Sequence, residues 1–302
     1  MQQVITALQN ENIGQILPNE PLGPYTTWKI GGPADFLLIP TTKDQLVRTV
    51  KILYEHQVPW FKLGKGSNVL VTDKGYRGVV IKLGEGLETL QFEDHRVHVG
   101  AAYGMIKLAV MSGKQGLTGL EFAGGIPGTV GGAIYMNAGA HGSDMSSVLK
   151  SAEVLLNTGE LVTLRVDELG FSYRHSKLHD DLKAIVTEAI FELSYGDRKE
   201  IAAAMATFKD RRLRTQPLQF AVAGSVFRNP EGNYAAKLIE EAGLKGYVIG
   251  GAEVSTLHAN FIINSGRASA QDVLTLMDHV QACVFERFGI QLIPEVMVVG
   301  ER

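Results

Sequence analysis

A single cysteine, Cys283, leaves this chain of 302 residues no intramolecular disulfide. It lies in an apolar helical pattern, which predicts a buried, inert thiol and a reducing compartment. Eight histidines are scattered without metal-ligand spacing; His175 and His179 stand four apart, but no HExxH and no cysteine cluster accompanies them, so no metal is expected. No GxSxG elbow surrounds a serine, no GxxxxGK[ST] loop occurs, and no GxGxxG opens a helix. Hydrolase-triad, Walker-loop and Rossmann readings all lose support. Charge of one sign is lacking as well: 29 basic against 32 acidic residues give a net charge of −3, with no footprint for nucleic acid or an anionic membrane. The opening MQQVITALQNENIG has no basic segment leading into an apolar core, so no signal peptide is predicted and a soluble, cytoplasmic protein is expected.

Glycine is what the chain has in excess, 34 residues or about 11%, against an ordinary level of roughly 7%. It concentrates in residues 121–142, EFAGGIPGTVGGAIYMNAGAHG, where seven of 22 positions are glycine and no formal charge falls between Glu121 and His141. A membrane span needs about 20 apolar residues in unbroken helix, and Gly124, Gly125, Pro127, Gly128, Gly131 and Gly132 are expected to break any helix here. Two readings stay open. Glycine lets backbone approach a ligand closely, so that free N–H groups cradle phosphate; it also permits close helix–sheet packing with no ligand at all.

A second glycine-rich turn, Gly64, Lys65, Gly66, Ser67 and Asn68, joins the predicted strands 59–63 and 69–71. Two such loops roughly 60 residues apart, each following strand-and-helix structure, suggest two lobes gripping one long ligand, and a dinucleotide is the natural candidate. Around them the pattern alternates. A helix and a proline-rich loop fill 1–24, and a strand at 35–39 precedes a helix capped by Thr42. Strands are expected at 79–83, 89–92 and 96–99, a helix at 105–115, and a hairpin 152–157/161–165 about Thr158 and Gly159. Beyond a strand at 184–193, a helix from Asp197 ends near Arg211, Arg212 and Arg214, where cations suit the helix C-terminus as well as they would an anion. The last region has helices at 234–242 and 270–288, the latter opened by Ser269 and stopped by Gly289, and strands at 260–263 and 291–299.

Three polar residues sit in short polar contexts between apolar elements: Arg174, Ser225 and Glu295. With them go the runs GKGSNVLV (64–71), the 121–142 stretch, FSYRHS (171–176), AGSVFRNP (223–230), HANFIIN (258–264) and IPEV (293–296). In that order, and over nearly all of residues 25–299, they resemble the UDP-N-acetylenolpyruvoylglucosamine reductases, flavoenzymes of peptidoglycan precursor synthesis. The resemblance implies an α+β fold: a two-lobed FAD-binding domain of the vanillyl-alcohol oxidase type plus a smaller α+β substrate domain. Its expected boundaries are 1–83 for the first lobe, completed by a C-terminal strand within 289–302, 84–213 for the second lobe, and 214–288 for the substrate domain.

The resemblance further implies that Gly64, Lys65, Gly66, Ser67 and Asn68, with Gly124, Gly125, Ile126, Pro127, Gly128, Thr129 and Gly131, hold FAD. It gives Arg174, Ser225 and Glu295 the catalytic places and Asn229 and Asn260 contacts to substrate. NADPH is the implied reductant and UDP-N-acetylglucosamine enolpyruvate the implied substrate, handled by a cytoplasmic monomer. One branch of the family carries an inserted tyrosine loop over the substrate diphosphate. Here residue 193 passes directly into the helix from Asp197, as in the short-loop branch. Position 228, often lysine in that family, is arginine, which keeps the charge and changes its geometry. A bare Glu295 carboxylate beside developing negative charge would repel it, so this group is expected to act protonated or hydrogen-bonded. Neither loop contains a cysteine, so FAD is expected to be held without a covalent bond.

Overall fold

Thr42 and Gln45 close a reciprocal cap: the threonine hydroxyl accepts the Gln45 N–H at 3.2 Å, and the glutamine oxygen accepts the Thr42 N–H at 3.3 Å. Two of the donors that a helix start leaves unpaired are thereby satisfied, and the helix Lys43–Glu55 follows, burying Leu46, Thr49, Val50 and Leu53 on one face. That face packs into a core with Leu38, Trp60, Val79 and Ile81, to which the helix Gln2–Asn10 adds Val4, Ile5 and Leu8. The computed structural model describes residues 2–179 and 184–301. Its architecture is α+β, and the chain forms two compact units: one from segments 1–18, 36–64 and 78–210, the other from 19–35, 65–77 and 211–302.

The first unit holds a five-stranded sheet ordered Leu161–Arg165, Leu149–Leu155, Ile185–Glu192, Arg96–Gly100, Leu90–Glu93, antiparallel throughout. Its outer hairpin turns at Gly159, whose φ of +84 suits the missing side chain. The same unit carries most of a four-stranded sheet ordered Gln15–Pro21, Pro33–Ile39, Tyr76–Lys82, Trp60–Leu63. Gln15–Pro21 was expected to be loop because of its prolines. It is the edge strand, where an absent N–H costs no ladder bond.

In the second unit the helices Ala235–Glu241 and Ala270–Phe288 pack with Val254, Ile262, Val226 and Phe227 around the fully buried Trp28. The Trp28 indole donates to the Ile262 carbonyl at 2.8 Å, and the Asn264 amide donates to the Trp28 carbonyl at 2.9 Å. Asp73 accepts the N–H groups of Ala270 and Gln271 at 2.8 and 3.0 Å, adding a second acidic cap to the long helix that Ser269 and Asp272 already open. The strand Met297–Val299 runs parallel to Val69–Val71. Only these three residues of the predicted strand 291–299 are regular, because Pro294 lacks a donor and makes an isolated bridge with Phe227 instead.

By contact, segments 19–35 and 65–77 group with the C-terminal residues, and the strand Met297–Val299 pairs with Val69–Val71, which lies within 1–83.

Candidate functional site

The 121–142 stretch departs from its expectation first. It does break after the 3-10 turn Glu121–Gly125, but Val130–Tyr135 is helical, and Thr129 caps it by accepting the Gly132 N–H at 3.3 Å. Gly131 is tolerated inside that helix for a packing reason: a Cβ there would lie 3.0 Å from the Ala101 Cβ. The loop Gly125, Ile126, Pro127 and Gly128 is left partly open to solvent between the two helical pieces. Gly128 takes a φ of +154, and its carbonyl accepts the Met105 N–H at 3.1 Å.

In the same unit Gly64 lies against Thr129; a Cβ on it would sit 3.0 Å from the threonine Oγ1. The ends of the two glycine-rich loops are thus neighbours, uncharged and solvent-accessible. Such a cradle fits a cofactor pyrophosphate approached by backbone. Gly66 has a different reason to be glycine: with φ at +62, a Cβ would meet the Tyr25 carbonyl oxygen at 2.5 Å and the Thr26 Cα at 2.7 Å, so local packing alone requires it.

Arg174 occupies the second corner of a two-residue turn in the first unit, closed by Ser172 and His175 exchanging backbone bonds of 3.0 and 3.1 Å. Its φ is +55, a conformation that favours glycine or asparagine and costs an arginine about 1 kcal/mol. Lys29, Gln57, Asp94 and His141 share a positive φ, so the angle describes how the turn presents Arg174 and does not by itself mark a role. The turn is docked onto the glycine-rich stretch. Asn137, 2% exposed, donates to the Ser172 carbonyl at 3.0 Å and accepts the Ser146 N–H at 3.1 Å, while Ser176 donates to the Tyr135 carbonyl at 2.7 Å. Asn137 was not singled out from sequence. An asparagine ahead of Ala138 and Gly139 was the available signal, since asparagine tolerates the left-handed region in which the structure places it, at φ +41.

The second unit carries Lys65, Gly66, Ser67, Asn68, Ser225, Asn229, Asn260 and Glu295. The backbone segments that carry Ser225 and Glu295 run side by side: the Glu295 N–H donates to the carbonyl of Val226 at 2.8 Å, and the Arg228 N–H donates to the Ile293 carbonyl at 2.9 Å. Asn68 reaches the same place, its amide donating to the Glu295 carbonyl at 3.1 Å and its own carbonyl accepting the Met297 N–H at 3.1 Å. Asn229 Oδ1 accepts the Ala235 N–H at 3.0 Å, which caps the helix Ala235–Glu241. Asn260 is buried, and its amide bonds both polar atoms of the Phe227 peptide.

Of the three arginines near the end of helix Arg198–Thr215, Arg212 is spoken for by Gln216, whose Oε1 accepts its Nε–H at 2.6 Å, and burial pulls its guanidinium below its ordinary pKa. Cys283 is half-buried beside His279, its Sγ 3.6 Å from Nε2, so the thiol is less enclosed than expected. Among the described residues no group of three or more His, Cys, Asp or Glu side chains is placed to hold a metal.

Comparison with known proteins agrees with this layout. Residues 34–165 match a family model described as an FAD binding domain, and residues 216–299 match one described as the UDP-N-acetylenolpyruvoylglucosamine reductase C-terminal domain. The chain is 51% identical to the UDP-N-acetylenolpyruvoylglucosamine reductase of Anoxybacillus flavithermus over the whole of both, and 48% identical to that of Bacillus subtilis over 99% of each. Among solved structures it resembles a UDP-N-acetylenolpyruvylglucosamine reductase from Thermus caldophilus with a TM-score of 0.81 and 37% identity, covering 94% of this chain and 98% of that one.

Proposed function

The chain belongs to the UDP-N-acetylenolpyruvoylglucosamine reductase family, and from that premise we propose how its own residues carry the reaction. It is an FAD-containing, NADPH-dependent oxidoreductase that reduces the enolpyruvyl group of UDP-N-acetylglucosamine enolpyruvate to UDP-N-acetylmuramate, a peptidoglycan precursor. When bound, FAD would supply the hydride for the vinyl carbon Cβ, with NADPH as its reductant. Gly64 and the loop from Gly124 to Thr129 hold the cofactor through backbone, a role the exposed junction of Gly64 with Thr129 supports.

Hydride arriving at Cβ pushes electrons through Cα into the substrate carboxylate. Arg174, permanently cationic, stabilises the extra charge on those oxygens. Ser225 gives its proton to Cα: its O–H bond breaks as the new C–H bond forms, and the alkoxide left behind takes a proton back from water. A serine is a poor acid in water, but a carbanion-like centre is a strong base, so position outweighs acidity here. Glu295 is assigned to the same intermediate, where a carboxyl helps only if it is protonated or hydrogen-bonded. Asn229 is assigned to the substrate, and synthesis of a nucleotide-sugar precursor is consistent with a cytoplasmic enzyme.

The observation that carries this reading is the backbone bond from the Glu295 N–H to the Val226 carbonyl, which sets the segment of Glu295 against the residue next to Ser225. The two half-reactions separate the test. Ser225→Ala is expected to lose colour normally with NADPH in anaerobic stopped-flow, yet to be reoxidised by the enolpyruvyl substrate about 10² to 10⁴ times more slowly, the usual worth of general acid catalysis. Ser225→Cys keeps a transferable proton and recovers part of the rate. Reoxidation of the alanine variant within a few-fold of wild type removes Ser225 as the donor.

A further inference from the structure

Asn260 is 4% exposed, and its side chain behaves as a strand neighbour's peptide would. Oδ1 accepts the Phe227 N–H at 2.9 Å, and Nδ2 donates to the Phe227 carbonyl at 2.8 Å. The Asn260 backbone carbonyl also accepts the Val226 N–H at 2.9 Å. One residue thus grips the two positions that directly follow Ser225. Pulling this amide away toward a ligand would leave a buried N–H and a buried C=O without partners, which is costly.

What precedes Ser225 is compliant. Gly224 has a φ of +78, and a Cβ built on it would have only the Ser67 carbonyl at 4.0 Å for company. The serine therefore takes its placement from the downstream side, where Asn260 holds Phe227 from one direction and the Glu295 N–H holds the Val226 carbonyl from the other. Asn260 is itself fixed. Its N–H donates to His258 Nδ1 at 3.3 Å, and Ser255 Oγ accepts the Leu257 and His258 N–H groups at 3.2 and 3.3 Å.

We infer that Asn260 is a positioning residue for the proton donor: by clasping the Phe227 peptide it sets where Ser225 Oγ stands against the carbon it protonates. This rests on the reading of Ser225 given above. A misplacement of about 1 Å costs on the order of 10² in rate, and the loss belongs to the proton-transfer half of the cycle alone.

The experiment compares Asn260→Ala, Ser225→Ala and the double variant, all as flavin-loaded full-length enzyme. Asn260→Ala is expected to keep NADPH reduction within about two-fold and to keep substrate affinity, read from the flavin absorbance change on binding. Reoxidation slows by about 10², and its solvent deuterium isotope effect rises because proton transfer has become limiting. Adding Asn260→Ala to Ser225→Ala costs little more, since both act through one hydroxyl. Asn260→Asp covers the case in which the alanine variant does not fold. Its protonated carboxyl can make both Phe227 bonds, so reoxidation recovers relative to wild type as pH falls.

Weakened substrate affinity with unchanged reoxidation at saturation would make Asn260 a substrate contact and overturn the inference. So would an equal fall in both half-reactions, or reoxidation in Asn260→Asp that fails to recover at low pH. If Ser225→Ala reoxidises normally, the reading of Ser225 falls; if it is slow but the two losses multiply, only the inference about Asn260 falls.

Discussion

Arg174 shows what a single residue can be made to carry. Its φ of +55 is a conformation in which any Cβ is penalised, and a glycine would sit there at ease. Arg174→Gly and Arg174→Ala both remove the guanidinium, so both are expected to abolish turnover. They differ in one methyl group, and thermal denaturation is expected to find the glycine variant more stable by about 1 kcal/mol; equal stabilities would mean the turn is not strained. The run FSYRHS was readable in the sequence, whereas the backbone angle at its arginine was not, because turn geometry depends on the Asn137 and Ser176 bonds beneath it. His258 makes a residue-scale prediction of another kind. Burial, helped by Lys245, lowers its pKa from the ordinary 6.5, so Nδ1 stays free to accept the Asn260 N–H. With the folded pKa below the unfolded one, the unfolded chain binds more protons as pH drops below 6.5. The stability tied to this neutral histidine is present above that pH and is lost as pH falls through the folded value. Urea titrations across this window should show a smaller fall in midpoint for His258→Gln than for wild type.

At the scale of elements, the glycines divide by cause, and the sequence alone could not divide them. Gly66 and Gly131 are explained by their neighbours Tyr25 and Ala101 and would be glycine with no ligand present. Gly128 combines an unusual φ with a loop position, so any substitution there confounds folding with binding. Gly64 is the clean case. No left-handed φ is required of it, and the atom an added methyl would meet, Thr129 Oγ1 at 3.0 Å, belongs to a side chain that can turn. Gly64→Ala is expected to change the thermal midpoint of the apoprotein by no more than a few degrees while lowering flavin affinity. Unchanged flavin content after gel filtration would take this turn out of the cofactor site. Element types were legible where periodicity was strong, as in Lys43–Glu55 and Ala270–Phe288 with their caps. Val130–Tyr135 was missed because helix–sheet contact outweighed the low helix propensity of its two glycines.

The whole molecule is divided in space but not along the chain. Each unit draws on three separate segments, so the chain passes between them five times. What the sequence did carry at this scale was the order of its motifs, enough for the family and the α+β class. Contacts such as Asn68 with Glu295 lie beyond any local pattern. The parallel pairing of Val69–Val71 with Met297–Val299 imposes a schedule on synthesis. A ribosome adding roughly 5 to 20 residues per second needs about 11 to 46 s to travel from the earlier strand to the later one. Throughout that interval the nascent chain displays the apolar segment Val69–Val71 without its partner, a natural landing place for a chaperone. The GKGSN turn beside it cannot acquire its bonds to residues 295 and 297 until those residues have been made, so flavin loading is expected to wait for their emergence from the ribosome.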